Sequence, residues 1–173
     1  MEIRTERLLL RPITMAELQS THAYSSDVEN TRYMMYLPYA SLEETAAAIR
    51  AAEAEWRKPQ PEQCDYAIWL DGVHIGGLTV YFMEDRSEIE LGWVLHKDYW
   101  RRGIVTEAAL ALMAYAREQW GVRRIFACCD SENAPSYALM QKLGMTLVKR
   151  DGMRTNRSMG SEQRVEWTCE IRW

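Results

Sequence analysis

The sequence predicts a mixed α+β domain built on one mostly antiparallel sheet with helices on both faces. Two observations predict it. Periodic segments run from early helices through an antiparallel stretch into strand–helix–strand–helix–strand–strand, an order that needs a mixed sheet covered on each side. The 173 residues contain no internal repeat, low-complexity tract or Gly/Ser linker, so residues 1–173 are expected to form a single domain.

The elements follow in order. Leu8-Leu9-Leu10-Arg11-Pro12 reads as a short strand stopped by proline. Thr14 with Glu17, and Ser41 with Glu44, match the capping box and predict helices over 15–25 and 42–57, the second Ala-rich and closed by Pro59. Between them Tyr33–Tyr39 is apolar without a clear period. Asp65–Leu70 and Val73–Phe82 flank Asp71-Gly72, a two-residue hairpin signal. Ser87–Leu95 alternates, with Ile89, Leu91, Trp93 and Leu95 on one face and Glu88, Glu90, Gly92 and Val94 on the other. A helix rich in Ala and Leu runs from Gly103 to about Gln119, and Val122–Cys129 is the next strand. Asn133-Ala134-Pro135 opens a helix that Gly144 ends. Met145–Arg150 and Arg164–Trp173 complete the set, and residues 151–163 are predicted to form a long polar loop carrying Arg154 and Arg157.

Composition narrows the function. Twenty-one Lys and Arg against 25 Asp and Glu give a net charge of -4, which disfavours a general nucleic-acid partner. Cys64, Cys128, Cys129 and Cys169 fit no metal spacing, so no metal is expected; reduced thiols point to the cytoplasm. No apolar run approaches the roughly 18 residues of a membrane span, and Met1-Glu2-Ile3-Arg4 lacks a signal-peptide core, so no membrane partner is expected. Seven Trp and nine Tyr against two Phe supply walls that combine an apolar body with a polar tip.

The richest segment is Glu90 to Ala108, where a strand meets a turn, Arg101, Arg102, Gly103 and a helix start. A helix N-terminus binds anions, Gly103 lets a phosphate approach the backbone, and Thr106 adds a hydroxyl. A phosphate-bearing ligand is indicated; an ordinary turn with solvated arginines is the plainer alternative. The run is neither a dinucleotide fingerprint, since G-x-G-x-x-G is absent, nor a Walker loop, since no G-K-[ST] follows.

At these residues the sequence resembles the GNAT superfamily of N-acetyltransferases, which carries [QR]-x-x-G-x-[GA] at this place. The similarity is greatest to the branch containing the ribosomal-protein alanine acetyltransferases. Thr5-Glu6-Arg7-Leu8-Leu9-Leu10-Arg11-Pro12 resembles that branch's opening, and Asn133-Ala134-Pro135-Ser136 with Lys142-Leu143-Gly144-Met145 resembles a later segment. The three motifs are collinear over nearly the whole chain. Trp100 stands where many members have Gln or Arg, Val105 where Gly or Ala is usual, and Met145 where Phe is common. Met140 occupies the position of a tyrosine general acid, so that route is closed here.

The resemblance implies a fold with splayed middle strands that admits acetyl-CoA as cosubstrate. It implies that Trp93, Val94 and Leu95 offer backbone to the pantetheine arm, and that Arg101, Arg102, Gly103, Ile104, Val105 and Thr106 hold the pyrophosphate. Asn133 and Lys142 match positions that touch the cofactor. Glu90, through a water, is the expected base for a primary amine, with Glu88 as substitute on the same face; a solvated strand glutamate is the alternative. Ser136 matches a proton donor to the departing thiolate, or is only a cap. Tyr33, Tyr36 and Tyr39 line the acceptor wall or belong to the core. His22, His74 and His96 sit in no recognised constellation. The expected activity is direct acetyl transfer to a protein N-terminus or small-molecule amine. A CoA-binding module without catalysis is the rival, and a homodimer is compatible with the family.

Overall fold

Asp71 and Gly72 both take positive φ, 50° and 77°, as a type I′ turn requires. They fold β3 (Gln63–Leu70) back on β4 (Val73–Phe82), with Leu70 opposite Val73. In the computed structural model, which describes residues 1–173, the other strands are β1 (Ile3–Arg4), β2 (Leu8–Pro12), β5 (Glu88–Leu95), β6 (Arg124–Asp130), β7 (Thr146–Thr155) and β8 (Gln163–Arg172). The helices are α1 (Leu18–Ser25), α2 (Val28–Thr31), α3 (Leu42–Trp56), α4 (Ile104–Trp120) and α5 (Ala134–Lys142). All eight strands join one open sheet in the order β1-β2-β3-β4-β5-β6-β8-β7. Every pairing is antiparallel except β5 with β6.

That parallel contact is short. It runs only from Glu88 opposite Arg124 to Glu90 opposite Phe126, after which the two strands part. The mixed α+β class and the splay are both as expected.

Each helix covers the sheet face that its apolar residues select. Ile104, Ala108, Leu112 and Ala116 of α4 and Met140 of α5 pack on Leu10, Ile68, Leu78, Val80, Ile89, Leu91, Ile125 and Cys169. A fully buried aliphatic such as Leu112 contributes about 1.5–3 kcal/mol. The opposite face is covered more thinly, by Ile49 and Ala52 of α3 on Ile13 and Ala67. Over β5 to β7 that second face carries Glu90, Cys128, Asp130, Glu166 and Arg154 instead of an apolar layer. No helix is long and apolar enough to cross a membrane.

The end signals behave as their chemistry dictates. Thr14 and Glu17 form the reciprocal box. Ser41 accepts the Glu44 N–H, but the Glu44 carboxylate reaches back to the Ala40 N–H at 2.7 Å and to Arg157. Asn133 caps α5, and Gly144 leaves it at φ 79°.

Residues 151–163 differ from expectation. β7 runs on to Thr155, so the connection shortens to residues 156–162 with one helical turn at Arg157–Met159. The inner face here is polar: Arg154 Nε donates to Asn156 Oδ1 at 3.0 Å, and Asn156 Nδ2 to Asp130 Oδ2 at 2.7 Å. A strand whose buried side chains are charged shows no apolar alternation, so it looks like a loop in sequence. β1 and α2 also lie outside the expected set; α2 is a four-residue helix capped by Asp27. β7 carries two register shifts, between Leu147 and Lys149 and between Lys149 and Gly152.

The β4–β5 contact beside the splay depends on one glycine. A Cβ on Gly76 would overlap the Val94 carbonyl oxygen and lie 2.9 Å from the Leu95 Cα, both backbone atoms. Gly76→Ala therefore pushes β5 away from β4 and costs roughly 1–3 kcal/mol. A denaturation midpoint unchanged from wild type would contradict this.

Candidate active site

The turn between β5 and α4 is shaped to receive an anion. Arg101 and Gly103 sit in the left-handed region, at φ 63° and 72°. For glycine this is free; for arginine it stores roughly 1–3 kcal/mol of strain. Alternating left-handed residues gather successive N–H groups into a concavity. No side chain caps α4, and the amides of Gly103, Ile104, Val105 and Thr106 find no acceptor in the chain. Arg101 is exposed and makes no ion pair, whereas Arg102 bonds the Asp98 carbonyl at 2.9 Å and lies over Tyr99. The Ile104 side chain is buried, so this residue offers the concavity only its backbone.

The splay exposes backbone next to this turn. His96 N–H bonds the Ile75 carbonyl at 2.8 Å, and the antiparallel register then directs the polar groups of Val94 at Gly77. Those of Leu91, Trp93 and Leu95 point the other way, into the gap. The Leu95 carbonyl already accepts from Trp100 Nε1 at 2.8 Å. Trp93 thus keeps both groups free, Leu95 only its N–H, and Val94 neither.

Glu90 stands on the polar face at the point where β5 and β6 part. It makes no ion pair; Arg154 is committed to Glu166 at 3.3 Å, to Asn156 and to the Tyr33 carbonyl at 2.9 Å. Burial holds the Glu90 carboxyl above its ordinary range, and the Glu166 charge pushes the same way. Arg154 and the nearby Cys128 thiol pull it back. Burial likewise pushes the Cys128 thiol up to about 11, so it stays protonated. Glu88, the substitute base, is tied to Arg124 at 2.6 Å.

Tyr81 sits directly opposite Glu90 across β4–β5. Its phenol is held above the usual range by burial and by the neighbouring charges of Asp65, Glu90, Tyr36 and Tyr39. Next to it, a Cβ on Gly92 would meet Tyr81 at 3.8 Å and Thr79 at 3.9 Å, ordinary packing distances. Tyr81 and Glu90 are thus cross-strand partners, and Tyr36 and Tyr39 lie near enough to Tyr81 to act on its phenol. Tyr36 is 68% exposed and Tyr39 half-buried. Tyr33 contributes its carbonyl to Arg154 and its ring to Arg32. Arg157 closes this wall, bonding the Tyr36 carbonyl at 3.2 Å and the Glu44 carboxylate at 2.5 Å.

The remaining expected residues lie on or beside α5. Ser136 is half-buried; its N–H meets Asn133 Oδ1 at 3.2 Å, while its hydroxyl has no partner in the chain. Lys142 is exposed in the last turn without an ion pair, and Met140 is fully buried. Sequence reasoning missed Tyr81, Cys128, Arg154 and Glu166. All four depend on pairings that only the folded sheet reveals: Tyr81 meets Glu90 across β4–β5, not across the Asp71-Gly72 hairpin.

The balance around Glu90 has a measurable sign. With Glu90 as the expected base, active as the carboxylate, the rate is expected to fall as pH drops through its raised pKa, with an acid limb above the ordinary carboxylate range. Glu166→Gln removes a charge that raises this pKa and shifts the limb to lower pH; Arg154→Gln shifts it to higher pH. Limbs that coincide in all three proteins would contradict the arrangement.

The description of the family model that matches residues 7–146 is an acetyltransferase (GNAT) domain. The chain belongs to the GNAT acetyltransferases. This acetyltransferase is 31% identical over 152 residues to the uncharacterized N-acetyltransferase YnaD of Bacillus subtilis (strain 168), covering 88% of this chain and 85% of the relative. It superimposes on a GNAT-family acetyltransferase from Bacillus anthracis with a TM-score of 0.82 at 26% identity, over 99% and 98% of the two chains. RimL, a ribosomal L7/L12 α-N-protein acetyltransferase solved in complex with coenzyme A, shares the fold with a TM-score of 0.88 at 16% identity, over 99% of this chain and 98% of its own.

Proposed function

We propose that this acetyltransferase moves the acetyl group of acetyl-CoA to a primary amine, with Glu90 as the base. One observation carries the reading: a half-buried carboxylate with no ion-pair partner and a raised pKa stands where the central strands part. The donor-lined turn of residues 101–106 suits a pyrophosphate, since four amides without acceptors converge there. Asn133, whose amide nitrogen makes no bond, and the unpaired Lys142 are free to hold other parts of the coenzyme.

Acetyl-CoA supplies the acetyl group as a thioester. The chain's own residues handle protons. An amine is mostly protonated at neutral pH and must lose a proton to become nucleophilic. Glu90, with its raised pKa, takes that proton through a water. Ser136, whose hydroxyl is uncommitted, donates toward the departing sulfur. Trp93 offers N–H and C=O to an extended amide-bearing arm, as an added strand would find them. Tyr36, Tyr39 and Tyr81 present an aromatic wall to an acceptor that is either a peptide N-terminus or a small molecule. The coenzyme complex and α-N-protein substrate of RimL support this reading by analogy.

The test is thiol release from acetyl-CoA across a panel of peptide and small-molecule amines, with melting temperature followed in parallel. Acetyl-CoA is expected to raise the melting temperature, and at least one amine to release thiol above background. Stabilisation without release for any amine would sink the transfer reading. No stabilisation would sink coenzyme binding.

A further inference from the structure

The opening Thr5-Glu6-Arg7 is unused by the chemistry above, yet it touches the phosphate-facing turn from about a hundred residues away. Thr5 Oγ1 donates to Glu107 Oε1 at 2.5 Å, and the Arg7 backbone N–H to the same oxygen at 3.1 Å. Arg7 Nε and Nη2 close on Glu107 Oε2 at 2.7 and 2.6 Å. Arg7 Nη1 donates to the Arg102 carbonyl at 3.3 Å. The guanidinium lies 3.8 Å from where a Cβ on Gly103 would stand.

We infer that Thr5, Arg7 and Glu107 form a clamp that fixes the phosphate-receiving turn in its open-handed conformation, Arg7 and Glu107 acting as positioning residues for coenzyme binding. The inference rests on the proposed role of residues 101–106.

Two physical consequences carry it. The peptide unit is planar and trans, so its C=O and N–H point in opposite directions. Anchoring the Arg102 carbonyl on Arg7 therefore aims the Gly103 N–H away from Arg7 and into the concavity. Charge gives the second. Glu107 lies in the first turn of α4, where its carboxylate alone would repel an incoming phosphate. Partial burial works against that charge, but bonds from Thr5 and Arg7 hold the carboxyl below its usual range. Paired in this way, Glu107 is neutralised on the side away from the open amides. The Arg101 and Arg102 charges remain for the ligand.

The experiment titrates coenzyme A and pantetheine, which lacks the pyrophosphate, into wild type, Glu107→Gln, Arg7→Ala and an Arg101→Ala, Arg102→Ala double variant. Losing charge-assisted bonds in the clamp is expected to weaken coenzyme A roughly tenfold in Glu107→Gln and Arg7→Ala. Pantetheine affinity should stay at the wild-type value in both. A role confined to stability would weaken both ligands together, in step with the melting temperature of the free protein, and would overturn the inference. Coenzyme A affinity unchanged in both clamp variants would overturn it too. If the double arginine variant binds coenzyme A as tightly as wild type, the phosphate-turn reading falls, and the clamp with it. A loss there with none in Glu107→Gln sinks the clamp alone.

Discussion

Glu90→Gln is expected to lower the turnover of amine acetylation by about 10²–10⁴-fold, the usual worth of a positioned base. Glutamine keeps the shape and hydrogen-bonding reach of the side chain but cannot accept a proton. Coenzyme affinity should hardly change, because Glu90 lies on the polar face of β5 and the turn of residues 101–106 lies beyond the end of that strand. The pH dependence supplies a second readout. In wild type the rate levels off once the Glu90 carboxyl has ionised. In the variant only solvent removes the amine proton, so the rate keeps climbing as pH approaches the pKa of the amine. Equal rates for both proteins across pH would remove Glu90 from the mechanism.

Asp130→Ala is expected to cost about 3–5 kcal/mol, because it strips the acceptor from a buried charged network. Asp130 is fully buried and receives the Glu132 N–H at 2.9 Å, Asn156 Nδ2 at 2.7 Å and Arg164 Nε at 3.0 Å. Its loss leaves the buried Asn156 Nδ2 and the Arg164 Nε without their carboxylate acceptor, although Arg164 keeps Glu132 and Glu162. For a chain of this size the melting temperature should drop by about 10 °C. Burial favours the neutral acid, but Arg164 and the other donors outweigh it and hold the Asp130 pKa below its ordinary value. That stabilisation is present above the ordinary carboxylate range and is lost as pH falls from there through the lower pKa of the folded state. Asp130→Ala should accordingly flatten the acid side of the stability curve. A melting temperature within a degree or two of wild type would show the network to be dispensable.

Much of the fold was legible because its signals are local. Asp71-Gly72 can adopt its turn almost regardless of context, and Thr14 with Glu17 closes its own box. Gly144 stops α5 where a left-handed residue is needed. The candidate site divides along the same line. Arg101 to Thr106 are contiguous, so a pattern reveals them. The neighbourhood of Glu90 is assembled from β4, β5, β6, β7 and β8, and two of those strands pair through shifted register. Arg154 and Glu166 looked like surface charges because their burial is created by the fold, with partners up to 121 residues away. Val94 shows a subtler limit: strand membership was visible, but not which edge its amide would serve.

The two register shifts in β7 have a bearing on how this molecule meets others. β7 is the outermost strand, ten residues long and unpaired along one side. A straight strand of that length would offer a ladder of open donors and acceptors to any extended chain. The shifts break the ladder at Leu147–Lys149 and again before Gly152, and the exposed charges of Lys149, Arg150 and Asp151 occupy the interruption. Irregular spacing and charge make the edge a poor template for a further strand. The outer end of the sheet thus discourages sheet-to-sheet aggregation while its inner face carries Arg154.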